Sequence, residues 1–374
     1  MRLLVKTFEG LEAVLAQEVE ALGGTNIQKL TRAVTFDGTE EIMYACNYML
    51  RTGLRVLEVK KEFEAHDADD LYYKMYRLPW DQLIGVNDTF AVDAVVSGEH
   101  FTHSKFTALK TKDAIVDKVR KVKGDRPNVN VFTPTYRINI HVRHKTVTLS
   151  FDTSAESLHM RGYRITSVDA PLNEAMAAGL ILLSGWDKKS PLLDPMCGSG
   201  TILIEAERIA RRIPPQLADR NFGFKRWKKF DAELWEDVVS KYNDQIIDDC
   251  PPIIGGDKNL RAVKVTEQNL ESAETTSVQV QKADFFKSHS DSPLTLITNP
   301  PYDNRLKEAD IEKYYKSIGD HLKQSYVDSV AWIFSGNIEA LKSVGLRPSQ
   351  KYHLMNGGLE AKLFKYELYA GTKA

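Results

Sequence analysis

The sequence predicts an α/β protein whose C-terminal half is a doubly wound, largely parallel sheet. Three observations carry this expectation. Leu192-Leu193-Asp194 is an apolar run closing on an acid, and Pro195-Met196-Cys197-Gly198-Ser199-Gly200 then turns into an apolar helix opening at Thr201. Leu294–Thr298 is a second apolar run, and it ends in Asn299-Pro300-Pro301-Tyr302. Around them strand and helix patterns alternate, with Asp257 and Asp284 closing two further strands. Short apolar runs suit parallel strands buried on both faces, and strand–helix alternation is the pattern of a doubly wound sheet.

The chain of 374 residues has room for two or three domains, and its 50 basic residues nearly balance 51 acidic ones. A near-neutral chain is not a general polycation, so any nucleic-acid surface must be local. Cys46, Cys197 and Cys250 are far apart, without metal-ligand spacing, as expected in a reducing cytoplasm. Met1–Lys6 lacks a signal-peptide core, and the apolar stretch at Ala175–Leu183 is too short to span a bilayer. A soluble, cytoplasmic protein without metal is expected.

In chain order, Arg2–Thr7 reads as a strand. Leu11–Leu22 is an amphipathic helix, with Leu11, Val14, Leu15, Val19 and Leu22 on one stripe. Gly23-Gly24 ends it, Ala33–Phe36 returns as a strand, and Thr39 is a plausible N-cap for the next helix. Leu54–Val59 and Thr89–Val95 read as strands, Thr107–Val122 as a helix, and Tyr136–Val142 with Thr146–Phe151 as a hairpin. The segment from Lys105 to Arg126 is rich in cations, including Lys105, Lys110, Lys118 and Lys121. It is either a solvated helix face or a phosphate-contacting one. Ser157–Arg164, containing Arg161 and Arg164, is either a polar join or a contact to RNA or cofactor. Glu174–Leu183 is an apolar helix, and the helix from Thr201 stops before Pro214-Pro215. The insertion Phe222–Phe230 interleaves aromatics with Lys225 and Arg226, and a base-stacking, phosphate-neutralising role is preferred over inward packing. Ile253–Asp257 and Val278–Ala283 are parallel strands. Ile311–Gln324 is a helix, Ser329–Phe334 a strand, and Gln350–Met355 with Lys362–Tyr369 a terminal strand pair.

Two of these features carry chemistry. A glycine turn between strand and helix lets backbone N–H groups approach a ligand closely. No Gly-Lys-Ser/Thr follows, so it is not a phosphate-binding P-loop. The third glycine and the acid roughly 20 residues on that mark dinucleotide binding are also missing. In Asn299-Pro300-Pro301-Tyr302, an amide oxygen, a proline carbonyl and an aromatic face suit an exocyclic amine on a planar base.

Together, Asp194–Thr201 and Asn299–Tyr302 resemble the Rossmann-like class I methyltransferases that use S-adenosyl-L-methionine to modify amino groups. Leu158–Arg164 followed by Ala170-Pro171-Leu172-Asn173-Glu174 is similar to the THUMP-domain RNA guanine-N2 methyltransferases, most of all the bacterial 23S rRNA enzymes. Asp303 stands where that family usually has Gly. The resemblance implies a ferredoxin-like segment over 1–44, a THUMP RNA-binding domain over 45–153, a linker over 154–170 and a methyltransferase domain over 171–374. It implies cofactor contacts from Asp194, Pro195, Cys197, Gly198, Gly200, Thr201, Asp257, Asp284 and Asn299. Asp257 would take the ribose hydroxyls and Asp284 the adenine amine. Asn299, Pro300 and Tyr302 would be catalytic, with S-adenosyl-L-homocysteine as product. RNA contact would fall to Lys105, Lys110, Lys118, Lys121, Arg161, Arg164, Lys225 and Arg226. The larger bifunctional relatives carry a second catalytic domain, and the chain is expected to end before one. Modification of tRNA guanine, adenine-N6 methylation of RNA or DNA, glutamine-N5 methylation, and a non-catalytic assembly factor are the alternatives.

Overall fold

The computed structural model describes residues 1–168, 171–301 and 308–370. The N-terminal half is built on one eight-stranded sheet: β1 Arg2–Lys6, β2 Thr25–Leu30, β3 Ala33–Asp37, β4 Arg55–Glu64, β5 Thr89–Ser97, β6 Asn128–Val129, β7 Tyr136–Arg143 and β8 Thr146–Asp152. Their spatial order is β2-β3-β1-β4-β8-β7-β5-β6. The ferredoxin-like and THUMP regions therefore share a single sheet. β4 is its seam, pairing β1 from Lys6↔Arg55 and β8 from Leu57↔Asp152.

Most expected elements are present. The helix Glu12–Ala21 buries Val14, Leu15 and Val19, and Thr39 caps Glu40–Met49 by accepting from Ile42 N at 3.2 Å. The cation-rich helix spans Ser104–Lys123 and ends on Gly124 at φ +78°. A helix absent from the sequence reading, Ala68–Tyr76, is capped by Asp67, which accepts from Asp69 N and Asp70 N. It packs beside Ser104–Lys123 on one face of the sheet. Phe90, Ile138, Ile140, Val147, Leu149 and Phe151 are buried in the core with Ala114, Ile115 and Val119 of that helix.

The C-terminal half is a seven-stranded sheet: β9 Leu192–Asp194, β10 Ile253–Asp257, β11 Val278–Lys282, β12 Thr295–Thr298, β13 Val330–Ser335, β14 Gln350–Asn356 and β15 Leu359–Glu367. The order is β11-β10-β9-β12-β13-β15-β14. β9 to β13 run parallel, and β15 pairs antiparallel with both β13 and β14. The strand order reverses between β9 and β12, which is where an open α/β sheet leaves a crevice for ligands.

Among the contacts that join the halves, two are built on apolar side chains. Phe8 and Leu11 enter the C-terminal core beside Met176 and Leu180. Gly10, at φ +92°, lies so close to β14 that an added Cβ would stand 2.2 Å from the His353 carbonyl oxygen. The insertion supplies the other contact and corrects the base-stacking expectation for its aromatics. Phe222, Phe224 and Trp227 are 0%, 1% and 4% exposed, and Phe224 packs on Tyr44 with ring centroids 4.5 Å apart. Their apolar area seals the insertion onto the N-terminal core. Lys225 lies over the Trp235 ring and donates to Ala218 O at 2.7 Å.

Arg161 is also corrected. It is 2% exposed, donates to the carbonyls of Leu158 and Arg51, and faces Glu205 at 3.5 Å. A guanidinium so enclosed cannot meet an RNA phosphate. Glu205, fully buried, also accepts from Tyr163 OH at 3.1 Å. Removing one member of a buried pair strands the other charge, at about 3–5 kcal/mol. Arg161→Met should therefore lower unfolding stability by that amount in urea melts, and adding Glu205→Gln should recover most of the loss.

Candidate active site

The turn after β9 depends on glycine at two places. Gly198 sits at φ +58° and Gly200 at φ +77°. A Cβ on Gly200 would come within 2.7 Å of Thr266 Cγ2, so the helix Leu260–Ser272 packs directly on the turn. Thr266 Oγ1 donates to Gly198 O at 3.0 Å. The fully buried Asn269 donates to Ser199 O and Thr166 O, both at 3.0 Å, tying the turn to the join that precedes the domain.

The three acids occupy three neighbouring strand ends. Asp194, at the end of β9, accepts from Met196 N at 3.2 Å and Thr298 Oγ1 at 2.9 Å. Burial pushes its carboxyl up to about 7, with those two hydrogen bonds opposing the shift. Asp257 Oδ2 accepts from Gly198 N at 3.2 Å, and its Oδ1 accepts from Asn259 N at 2.8 Å. Asp284 accepts from Phe286 N at 3.2 Å.

All three line one cleft of about 540 Å³, with Pro195, Cys197, Gly198, Thr201, Asn299 and Pro300. Gly200 stands behind the wall, against Thr266. Asn299 Oδ1 is buried and has no hydrogen-bond partner among the described residues. A buried acceptor left open favours a donor arriving from a ligand. Tyr302 and Asp303 lie outside the described residues. Burial raises the Cys197 thiol well above its ordinary range, so it is a packing residue rather than a nucleophile.

The cleft also contains residues that the sequence reading missed. Lys258 and Arg261 follow Asp257, and Phe286 and Tyr314 supply aromatic wall, their rings edge-on at 5.5 Å. Tyr314 lies in the helix Glu308–Ser325, and its hydroxyl donates to Met196 Sδ at 3.4 Å. Burial raises its phenol to about 12, helped by Asp257 and Asp284. Phe286 carried a signal, since it lies two positions after a strand-end acid; Tyr314 carried none.

The expected RNA contacts are scattered. Arg164 donates to Leu172 O at 2.6 Å and to Thr201 Oγ1 at 2.9 Å, and pairs with Glu174 at 3.4 Å. That corrects its role: it pins the join to the cofactor helix. Lys110 pairs with Asp69 at 2.6 Å and Lys118 with Asp81 at 3.9 Å, while Lys121 lies over the Tyr76 ring at 5.9 Å. Lys105 is exposed, and Arg226 is half-buried at the edge of β7.

The description "RMKL-like, methyltransferase domain" matches residues 161–365. The chain belongs to this methyltransferase family. A THUMP domain matches residues 65–152 of this RMKL-like methyltransferase, and an RlmL ferredoxin-like domain matches residues 2–57. The protein slr0064 of Synechocystis sp., provisionally named an RNA methyltransferase, is 35% identical over 96% of this chain and 95% of its own. A ribosomal RNA large subunit methyltransferase K/L from Syntrophotalea carbinolica is 34% identical over 96% of this chain and 52% of its own, so the chain spans about half the length of that relative. The solved structure of SMU.472, provisionally named a methyltransferase and complexed with SAH, has a TM-score of 0.89 at 27% identity. The match covers 100% of this chain and 99% of that one. Among the described residues no helix is long and apolar enough to cross a membrane.

The raised Asp194 carboxyl makes a pH prediction for this RMKL-like methyltransferase. A folded-state value of about 7 means the folded protein holds the proton more tightly than the unfolded chain. The stability due to that proton is complete below the unfolded value and is lost as pH rises to about 7, at about 1.4 kcal/mol per unit. Asp194→Asn lacks this term. Between about pH 4 and about pH 8, the variant's unfolding free energy should improve on the wild type's by a few kcal/mol. Parallel pH profiles from urea titrations would show that Asp194 ionises normally.

Proposed function

We propose that this protein is an S-adenosylmethionine-dependent RNA methyltransferase acting on the exocyclic N2 amine of a guanine, in 23S rRNA. The observation that carries the proposal is the open Asn299 Oδ1 acceptor, buried in the same cleft as the glycine turn and the three strand-end acids. The fit to the cofactor rests on that donor and acceptor set. Asp257 offers two carboxylate oxygens to a ribose diol, Asp284 an acceptor to the adenine amine, and Phe286 an aromatic wall beside it. Asp194 and the turn line the part of the cleft nearest Asn299. When bound, S-adenosylmethionine supplies an electrophilic methyl group on a sulfonium.

The chain's own part is positional. An aryl amine is a weak nucleophile because its lone pair is delocalised into the ring. Asn299 Oδ1 and the Pro300 carbonyl accept its two N–H bonds, which favours a pyramidal nitrogen with the lone pair free. No side chain has to remove a proton beforehand, since the amine becomes acidic once it is alkylated. Tyr302 is assigned the stacking face for the base. The THUMP match and the rRNA methyltransferase names of the relatives support RNA as the substrate. A guanine within structured RNA must be unpaired or flipped to reach such a cleft.

Two substitutions separate binding from chemistry. Asp257→Ala should weaken S-adenosylmethionine binding by roughly 10- to 150-fold in calorimetry, the loss of a hydrogen bond to a charged acceptor. Asn299→Ala should leave cofactor and RNA affinity near wild type and slow single-turnover methylation of 23S rRNA on the order of 100-fold or more. Near-normal single-turnover rates would remove Asn299 from the chemistry, and nucleoside mass spectrometry of the product identifies the methylated position.

A further inference from the structure

Several cations of the helix Ser104–Lys123 are paired with nearby acids. Lys110 is paired with Asp69, Lys112 with Asp113, Lys118 with Asp81 and Arg120 with Asp117. The opposite face of the same sheet also carries cations. Strand register puts Lys6 beside Arg55, and Leu57 beside Asp152. Asn139 faces Ser150 there, and Ala91 faces Arg137. Side chains two residues apart share a face, so Lys6, Arg55, Arg137 and Asp152 stand together on the side away from the helices. The segment Gly223–Arg226 packs against β7, and Arg226 comes near enough to Arg137 for the two charges to act on each other.

Resting on the reading of the protein as an RNA methyltransferase, we propose that Arg226 and Arg137 form a subsite for one RNA backbone phosphate, so that the RNA crosses the open face of the N-terminal sheet.

The geometry supports this in three ways. Arg226 Nε and Arg137 Nε are both buried without a hydrogen-bond partner among the described residues. Two carboxylates on this face are already engaged: Asp93 holds Arg137 Nη1 at 2.9 Å, and Asp152 holds Arg55. Arg137 Nη2 is tied to Val131 O at 2.6 Å, which aims the guanidinium. Burial and the neighbouring Arg137 hold the Arg226 guanidinium below its ordinary range, opposed only by Asp152. Two adjacent guanidinia with open N–H groups are relieved by an anion that presents several oxygens at once, and a phosphodiester does so.

The test uses the full chain and a protein-free 23S rRNA transcript, with affinity measured against KCl concentration. Arg226→Gln should weaken binding roughly tenfold at moderate salt and reduce the log–log salt slope by about 1. Cofactor affinity and melting temperature should stay at wild-type values. Arg137→Gln should act alike, and the double variant should be little worse than either single one, because both side chains serve one phosphate. Arg226→Lys should restore the slope without the full affinity, since an ammonium keeps charge but loses the guanidinium fork. Lys118→Gln with Lys121→Gln should change the slope less than Arg226→Gln does. An unchanged slope in Arg226→Gln, with the wild type binding and methylating the transcript, would overturn the subsite. So would loss of inorganic phosphate binding in that variant with RNA binding intact, which marks a site for a free anion. A wild type that methylates no RNA would instead overturn the functional reading beneath it.

Discussion

Glu205 cannot reach water. It sits fully buried in the helix that opens from the glycine turn, and it is met by Arg161 and Tyr163 of the join that precedes the sheet. Arg161 in turn donates to the Arg51 carbonyl, and Arg51 donates to the carbonyls of Arg208 at 3.1 Å and Ile213 at 2.8 Å. A buried charge is tolerated only when it is paired and hydrogen-bonded, so this set of residues has few alternative arrangements. Through it the join, the N-terminal half and the cofactor helix hold one another in place. The cleft depends on this, because the turn that lines it is the first turn of the same helix.

Much of the catalytic half was legible because its signals are local. The glycine turn, Asn299-Pro300-Pro301, and the acids at 194, 257 and 284 are each read within a few residues, and they line a single cleft or its wall. Strand and helix centres were also legible, and boundaries moved by a few residues. β2 and β6 were missed because they are exposed, polar edge strands without an apolar alternation.

What was not legible depends on residues far apart in the chain. The insertion mixes aromatics with cations, and nothing within Phe222–Phe230 says that Tyr44 and Trp235 will cover the rings. Arg161 looked like a surface cation because its partner Glu205 lies 44 positions on. Lys118 looked free for the same reason: its acid, Asp81, belongs to another helix. Charge runs reveal how much charge is present. The acids that neutralise it are known only from the fold.

The continuity of β4 bears on how this protein can be dissected. One strand closes the ferredoxin-like sheet against β1 and the THUMP sheet against β8. A fragment starting after β4 would leave the whole length of Thr146–Asp152 as a bare strand edge, with unpaired backbone donors and acceptors beside a buried apolar face. Such an edge recruits other chains. The two N-terminal regions match separate family descriptions, yet they share one sheet through β4. A fragment that keeps this sheet paired has to begin at β1 and carry both.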